Sequence, residues 1–207
     1  MVTYDKVSFV IISKQACPPF LNYIPITFEK VVVTEKGLAY ARNLGAKKAS
    51  GDLLVFLDGD IKLSPFQWKQ ILNVKPKQFL MCFSKYFPST RVLAIHRKDF
   101  WNVGGFDERL QNVAEDRDFY LRCLDCGLQF KPLPYNSIFH FAHKPVRGKG
   151  FMKGFLMSKE HALVILKHYK KHPEMCVFHF YSRLCNFKIR SMFYELFWLF
   201  VLKVRKW

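Results

Sequence analysis

Leu53-Leu54-Val55-Phe56-Leu57 sets five apolar residues in a row and then stops at Asp58-Gly59-Asp60. A strand with one wet face would alternate apolar and polar residues. An unbroken run belongs to a strand covered on both faces, so helices must lie above and below its sheet. Val7–Ile12 is a second such run, and residues 30–34, rich in valine, are a third. Between them and Leu53, residues 36–50 carry Leu38, Ala41, Leu44, Ala46 and Ala49 at roughly helical spacing. Strand–helix–strand order with apolar strands predicts a parallel, doubly wound α/β sheet. Such sheets bind ligands beyond the carboxyl ends of their strands, where Asp58 and Asp60 stand.

The elements that follow are weaker but ordered. Ser64 and Pro65 predict a helix start as N-cap and first helical residue. Strands are expected at 79–84 and 92–96, a turn at Gly104-Gly105, and a helix from about Glu115 to Cys126 closed by Gly127. Residues 128–132 and 138–141 read as short, edge-like strands. Cys123 and Cys126 have a ligand-like spacing but no second pair, and they fall within a helical pattern. The six cysteines are therefore expected to be buried, reduced thiols.

From about Lys144 the composition shifts. Residues 144–207 hold 14 lysines and arginines against three acids, whereas the first 143 residues hold 19 against 13. Most of the net charge of +17 thus sits in the tail, which predicts an anionic partner: phosphate groups, nucleic acid or an acidic membrane. No helix-turn-helix, zinc-finger or RNA-recognition signature supports nucleic acid. The tail also intersperses its cations with Phe, Tyr and Trp, as in a helix lying in a membrane interface. The same pattern serves a helical pair packed on the sheet. Residues 192–204 are apolar apart from Glu195 and Lys203, too few to span a bilayer. The expected organisation is a sandwich over 1–145 and a basic, aromatic helical extension over 146–207, packed on the sandwich or on a membrane. The first residues lack a basic start and a signal-like apolar core. A cytoplasmic location, with possible peripheral attachment to a membrane's cytoplasmic face, is the expectation.

Asp58 and Asp60, two positions apart across a glycine, can turn toward one hard cation such as Mg²⁺ or Mn²⁺. Such an ion would bridge a diphosphate and neutralise charge as it leaves. The same triplet is also an ordinary Asp-Gly turn with solvated acids. Its surroundings add specificity. Ala41-Arg42-Asn43-Leu44-Gly45-Ala46, Gly51-Asp52 and Phe56-Leu57-Asp58-Gly59-Asp60 together resemble the "ARNxGAxxAxGDxLxFLDxD" signature of family 2 glycosyltransferases with the GT-A fold. Trp101-Asn102-Val103-Gly104-Gly105-Phe106-Asp107-Glu108 is similar to that family's "GGFDE" acceptor-side loop. Residues 115–122, Glu-Asp-Arg-Asp-Phe-Tyr-Leu-Arg, are similar to its "EDxDLxxR" helix. The resemblance covers about residues 5 to 145.

The resemblance implies a GT-A nucleotide-binding α/β/α sandwich with a mixed, mostly parallel sheet and a C-terminal helical extension. It implies sugar transfer from a UDP- or GDP-linked donor, with Mn²⁺ or Mg²⁺, to a glycan, protein or lipid-linked acceptor such as a polyprenyl phosphate. Ile12 and Ser13 would cradle the base. Glu35, standing where the family usually has Asp, would contact it. Arg42 would meet the phosphates, Asp58 the ribose and donor sugar, and Asp60 the metal, with His140 or His143 completing the metal shell. Asp116 would be the catalytic base and Glu115 would hold an acceptor hydroxyl. Gly104 and Gly105 would let the backbone approach a sugar, on which Trp101 could stack. A base opposite the leaving diphosphate suits an inverting transfer, and the helix dipole would keep Asp116 ionised. Asp118 and Arg122 read as a helix-surface pair.

One departure stands out. The family's Pro-Thr-Tyr-Asn after the first strand is replaced here by residues 12–19, Ile-Ser-Lys-Gln-Ala-Cys-Pro-Pro. Only about 17 residues separate the first two strands, so the helix expected between them is nearly absent and the base pocket would be open or unusual. A sandwich that keeps the fold but has lost catalysis is the alternative, against which the acids at 58, 60, 115 and 116 argue.

Overall fold

The computed structural model describes residues 6–83, 88–111, 113–134, 138–140, 151–185 and 189–204. Its centre is a six-stranded sheet in the order β2-β1-β3-β6-β5-β7. The strands are β1 (Val7–Ile12), β2 (Glu29–Val33), β3 (Leu53–Asp58), β5 (Gln78–Phe83), β6 (Pro88–His96) and β7 (Gln129–Pro134). β1 pairs in parallel with β2 and β3, and β5 pairs in parallel with β7. β6 runs antiparallel to both its neighbours, so the sheet is mixed rather than wholly parallel.

The apolar runs divide as a strand of period two requires. Leu53, Val55 and Leu57 enter one core with Phe9, Ile11, Val92 and Ile71. Leu54 and Phe56 enter the opposite core with Val10, Phe79, Phe100, Phe106 and Phe119. The first face is covered by α2 (Pro65–Leu72) and a short 3-10 helix at Pro19–Tyr23, all that remains of the connection between β1 and β2. The second is covered by α1 (Leu38–Lys48), α3 (Arg97–Asn102) and α4 (Glu115–Asp125). α2 starts as its sequence predicts. Ser64 Oγ accepts from Gln67 N while Gln67 Oε1 accepts from Ser64 N, a reciprocal cap. α4 closes on Gly127, at φ +73°.

Residues 138–140 do not join this sheet. β8 (Phe139–His140) instead pairs antiparallel with β4 (Ile61–Lys62), forming a two-stranded ribbon just past Asp60. The cysteines also depart from expectation: Cys82 and Cys123 are buried, but Cys17 and Cys126 are exposed. Burial pushes the Cys82 thiol up to about 12.

The tail forms α5 (Phe151–His168), α6 (Pro173–Cys185) and α7 (Ile189–Val204). α5 and α7 meet through Phe155, which packs on Tyr194, Phe197 and Trp198. The Trp198 indole N–H donates to the Phe155 carbonyl at 3.0 Å. α5 lies against the sandwich through Val164, which shares a small core with Leu110, Val113 and Ala114.

Candidate active site

The carboxyl ends of β1, β2 and β3 meet at one edge of the sheet. Ile12 lies opposite both Val33 and Asp58, Ser13 N donates to Val33 O, and Gly59 N donates to Ile12 O at 2.8 Å. The glycine of Asp58-Gly59-Asp60 has a steric cause. A Cβ at Gly59 would stand 2.8 Å from the Ser13 Cβ and 3.1 Å from the Ile12 carbonyl. The triplet is therefore pressed against the segment expected to hold the base, with Asp58 and Asp60 half-buried on either side.

Arg42 joins this edge to α4. Its guanidinium is 2% exposed, with Nη2 donating to Asp58 Oδ1 at 3.2 Å and Nη1 to Glu115 Oε1 at 3.1 Å. It also lies over the Phe106 ring, 5.4 Å from the centroid. Acids 57 positions apart in the chain are thus clamped by one cation. Arg42 was expected to meet phosphates; here each terminal nitrogen already donates to a carboxylate of the protein. Burial raises Glu115, with the neighbouring Asp116 adding to the effect and Arg42 opposing it. Burial likewise raises Asp58, against Arg42. Asp116 is raised too, because burial outweighs Arg117 and the backbone N–H of Arg117, which donates to Asp116 Oδ1 at 2.8 Å. The helix dipole does not decide the state of Asp116; desolvation does.

The next residue of α1, Asn43, reaches the 104–108 loop. Its Oδ1 accepts from Phe106 N at 2.8 Å, and its Nδ2 donates to Phe106 O and to Glu108 Oε1, each at 2.9 Å. Gly104 and Gly105 both have positive φ, at +89° and +64°. A Cβ at Gly105 would approach Asn43 Oδ1 to 2.8 Å and the Trp101 ring to 3.2 Å. Glycine is required here by the turn and by Asn43. Trp101 is 37% exposed and sits edge-on against Phe100. Glu35 lies away from this cluster, exposed just past β2, where Lys48 Nζ is 3.5 Å from it.

The candidate metal ligands are partly described. His140 pairs by backbone with Ile61, which places its strand beside Asp60; its side chain and all of His143 lie outside the described residues. Among the described residues no three His, Cys, Asp or Glu side chains form a metal-binding group. The donors at 58 and 60 are carboxylate oxygens, the set a hard cation accepts when substrate phosphates and water supply its remaining ligands. The residues fit such an ion.

Polar contacts tie α4 and the turn before it to the tail. Asp118, read from sequence as a surface acid, is fully buried. It accepts from His168 Nε2 at 2.9 Å, Lys167 Nζ at 2.7 Å and Arg122 Nε at 2.8 Å. Burial alone would raise this acid, but His168, Arg122 and Lys167 outweigh it and hold it at about 2. Arg117 Nη1 meets His179 Nδ1 at 2.8 Å, and His179 Nε2 meets Glu195 Oε2 at 2.7 Å, all three buried. Arginine can only donate, so Nδ1 accepts and the imidazole proton sits on Nε2, donated to Glu195. A neutral histidine thus links a buried cation to a buried anion. Glu160 Oε2 accepts the Val113 N–H at 2.8 Å. Sequence reasoning passed over these residues. Glu195, the one acid in an apolar stretch, was the available signal: a buried acid needs a partner.

A family model described as glycosyltransferase like family 2 matches residues 75–192. A curated relative from Drosophila melanogaster, named "Putative inactive polypeptide N-acetylgalactosaminyltransferase 11", is 28% identical over an alignment of 164 residues. That alignment takes in 56% of this chain and spans only 29% of the relative's length. Among solved structures, a Pyrobaculum calidifontis mannosyltransferase in complex with GDP-Man and Mn²⁺ superposes with a TM-score of 0.59 at 15% identity, covering 98% of this chain and 76% of that one. The structure of GalNAc-T7 with UDP, GalNAc and Mn²⁺ gives 0.53 at 13% identity, over 77% of this chain and 47% of that one. The catalytic domain of Drosophila β1,4-galactosyltransferase 7 in complex with xylobiose gives 0.52 at 16% identity, over 73% and 79%. The likeness in fold is to GT-A glycosyltransferases.

Proposed function

Because the chain belongs to the glycosyltransferase like family 2, we propose that it moves a sugar from a nucleoside diphosphate donor to a glycan or lipid-linked acceptor. One observation carries this reading: Arg42 draws Asp58, at the end of β3, and Glu115, at the start of α4, into one buried cluster beside Asp116. The donor would lie over the ends of β1 and β3, with Ile12, Ser13 and Glu35 toward the base and Asp58 toward the sugar. Asp58 and Asp60 would hold Mn²⁺ or Mg²⁺. The ion, when bound, would neutralise the diphosphate. Solved neighbours described with GDP-Man or UDP and with Mn²⁺ support a donor and metal of this kind.

Asp116 acts as base. Its carboxylate takes the acceptor hydroxyl proton as the oxygen's electron pair forms the bond to the anomeric carbon. The bond to the diphosphate breaks on the opposite face, and its electron pair leaves with the diphosphate, inverting the centre. Burial raises the affinity of Asp116 for a proton, the direction a general base needs. Arg42 is a positioning residue, holding Asp58 and Glu115 in place.

A second reading, a site that binds the donor without transferring it, draws on the word "inactive" in the curated relative's name. Thermal shift with UDP or GDP, each with and without Mn²⁺, followed by a transfer assay, separates the two. Joint stabilisation by nucleotide and metal is expected, with turnover that falls about 10²- to 10⁴-fold in D116N while the shift persists. A shift without turnover favours the second reading, and no metal-dependent shift with either nucleotide overturns both.

A further inference from the structure

A cavity of about 1190 Å³ lies between the 107–111 loop, α5 and the end of α7, apart from the Arg42 cluster. Leu110, Leu163 and Leu202 line it, together with Lys159, Lys170 and Lys203. Its three carboxylates are already engaged. Asp107 is paired with Arg109 and Lys167, Asp118 with His168, and Glu160 with the Val113 N–H. Lys170 and Lys203 are exposed, and no described carboxylate pairs with either. The cavity is therefore apolar inside with cations left over at its rim.

The same helix that supplies Leu202 and Lys203 carries an exposed apolar stripe. Phe193 and Phe200 are 67% and 70% exposed, and Leu196 and Phe197 lie between them. Positions i, i+3, i+4 and i+7 share one helix face. Four large apolar side chains in a row on a surface mark an interaction site. No described helix is long and apolar enough to cross a membrane.

We propose that the α7 stripe and the lysines left over at the cavity rim form a docking site for an anionic phospholipid leaflet. Acyl chains would cover Phe193, Phe197 and Phe200, while lipid phosphates pair with Lys170 and Lys203. Charge complementarity chooses this occupant: the tail holds 14 cations against three acids, and lysines near an anionic leaflet strengthen attachment. The site uses none of Asp58, Asp60, Glu115 or Asp116, so it stands or falls separately from the transfer reaction.

Co-sedimentation of the full chain with vesicles of phosphatidylglycerol or of phosphatidylcholine tests it. The chain is expected to bind the first and not the second. K170Q/K203Q should weaken binding about 25-fold, or about fivefold for each lysine. F193S/F200S should remove the binding that survives high salt. Circular dichroism melting checks that both variants, altered only at exposed positions, remain folded. The proposal is overturned by equal binding to both lipids, by no binding, or by either variant binding as well as the parent. It is also overturned if inorganic phosphate releases the protein from vesicles, which marks a free-phosphate site. Displacement by single-stranded RNA that is indifferent to F193S/F200S would mark a nucleic-acid surface instead and overturn it equally.

Discussion

α1 meets the sheet through alanines, a glycine and valines, whereas α4 and the turn before it meet the C-terminal helices through Asp118 with His168, Arg117 with His179, and Val113 with Glu160. The first contact is apolar and close. A Cβ at Gly45 would come within 2.2 Å of a Val10 methyl. The second buries charges that hold only as complete sets. The difference bears on the candidate base: Asp116 is followed directly by Arg117 and Asp118, and both are held by side chains from the tail. An extension that looks peripheral in sequence thus holds the helix carrying the proposed base.

The strongest way to break the comparison is E195A, which leaves His179 and Arg117 facing an empty buried position. It should destabilise by about 3–5 kcal/mol, first visible as lost hydrogen-exchange protection in α4, α6 and α7 while β1 and β3 stay protected. R117M/H179F/E195L, apolar throughout and of similar volume, should recover most of that loss; if it does not, the network does more than neutralise charge. On the apolar side, G45A should overpack the α1–β1 contact and cost about 1–3 kcal/mol in urea unfolding, and V10A in the same chain should return part of it.

Acidification sharpens the contrast. Asp118 is held at about 2 in the fold, below the ordinary aspartate value of about 3.9. Its stabilising effect is complete above that ordinary value and is lost as pH falls through about 2, a loss of about 2 kcal/mol. D118N should flatten this acid limb of the melting-temperature profile. The smallest effect belongs to the exposed Lys48–Glu35 pair: E35Q should leave the melting temperature unchanged. A measurable loss there would mean that polar contacts at this surface matter more than their exposure allows.

Reading the chain from its residues located β1, β2, β3 and the Ser64 cap closely, because an unbroken apolar run or a Ser-Pro start depends on neighbours in sequence. It also singled out Arg42, Asp58, Glu115 and Asp116. It went astray where a partner lay far along the chain. Asp118 and Arg122 at i and i+4 predict a surface pair by spacing alone, yet Lys167 and His168 turn them into a buried cluster. Residues 138–141 have a strand's composition, but which strand they pair with is a long-range matter, and β4, two residues long, has no signature of its own.

Which strands are covered on both faces, and which acids stand at strand and helix ends, could be read from neighbouring residues, since hydrophobic period and turn chemistry act over a few positions. The partners of those acids, and the direction in which their proton affinities move, come from the fold. Desolvation and ion pairing are set by whatever the fold brings alongside: Arg42 between Asp58 and Glu115, His179 between Arg117 and Glu195.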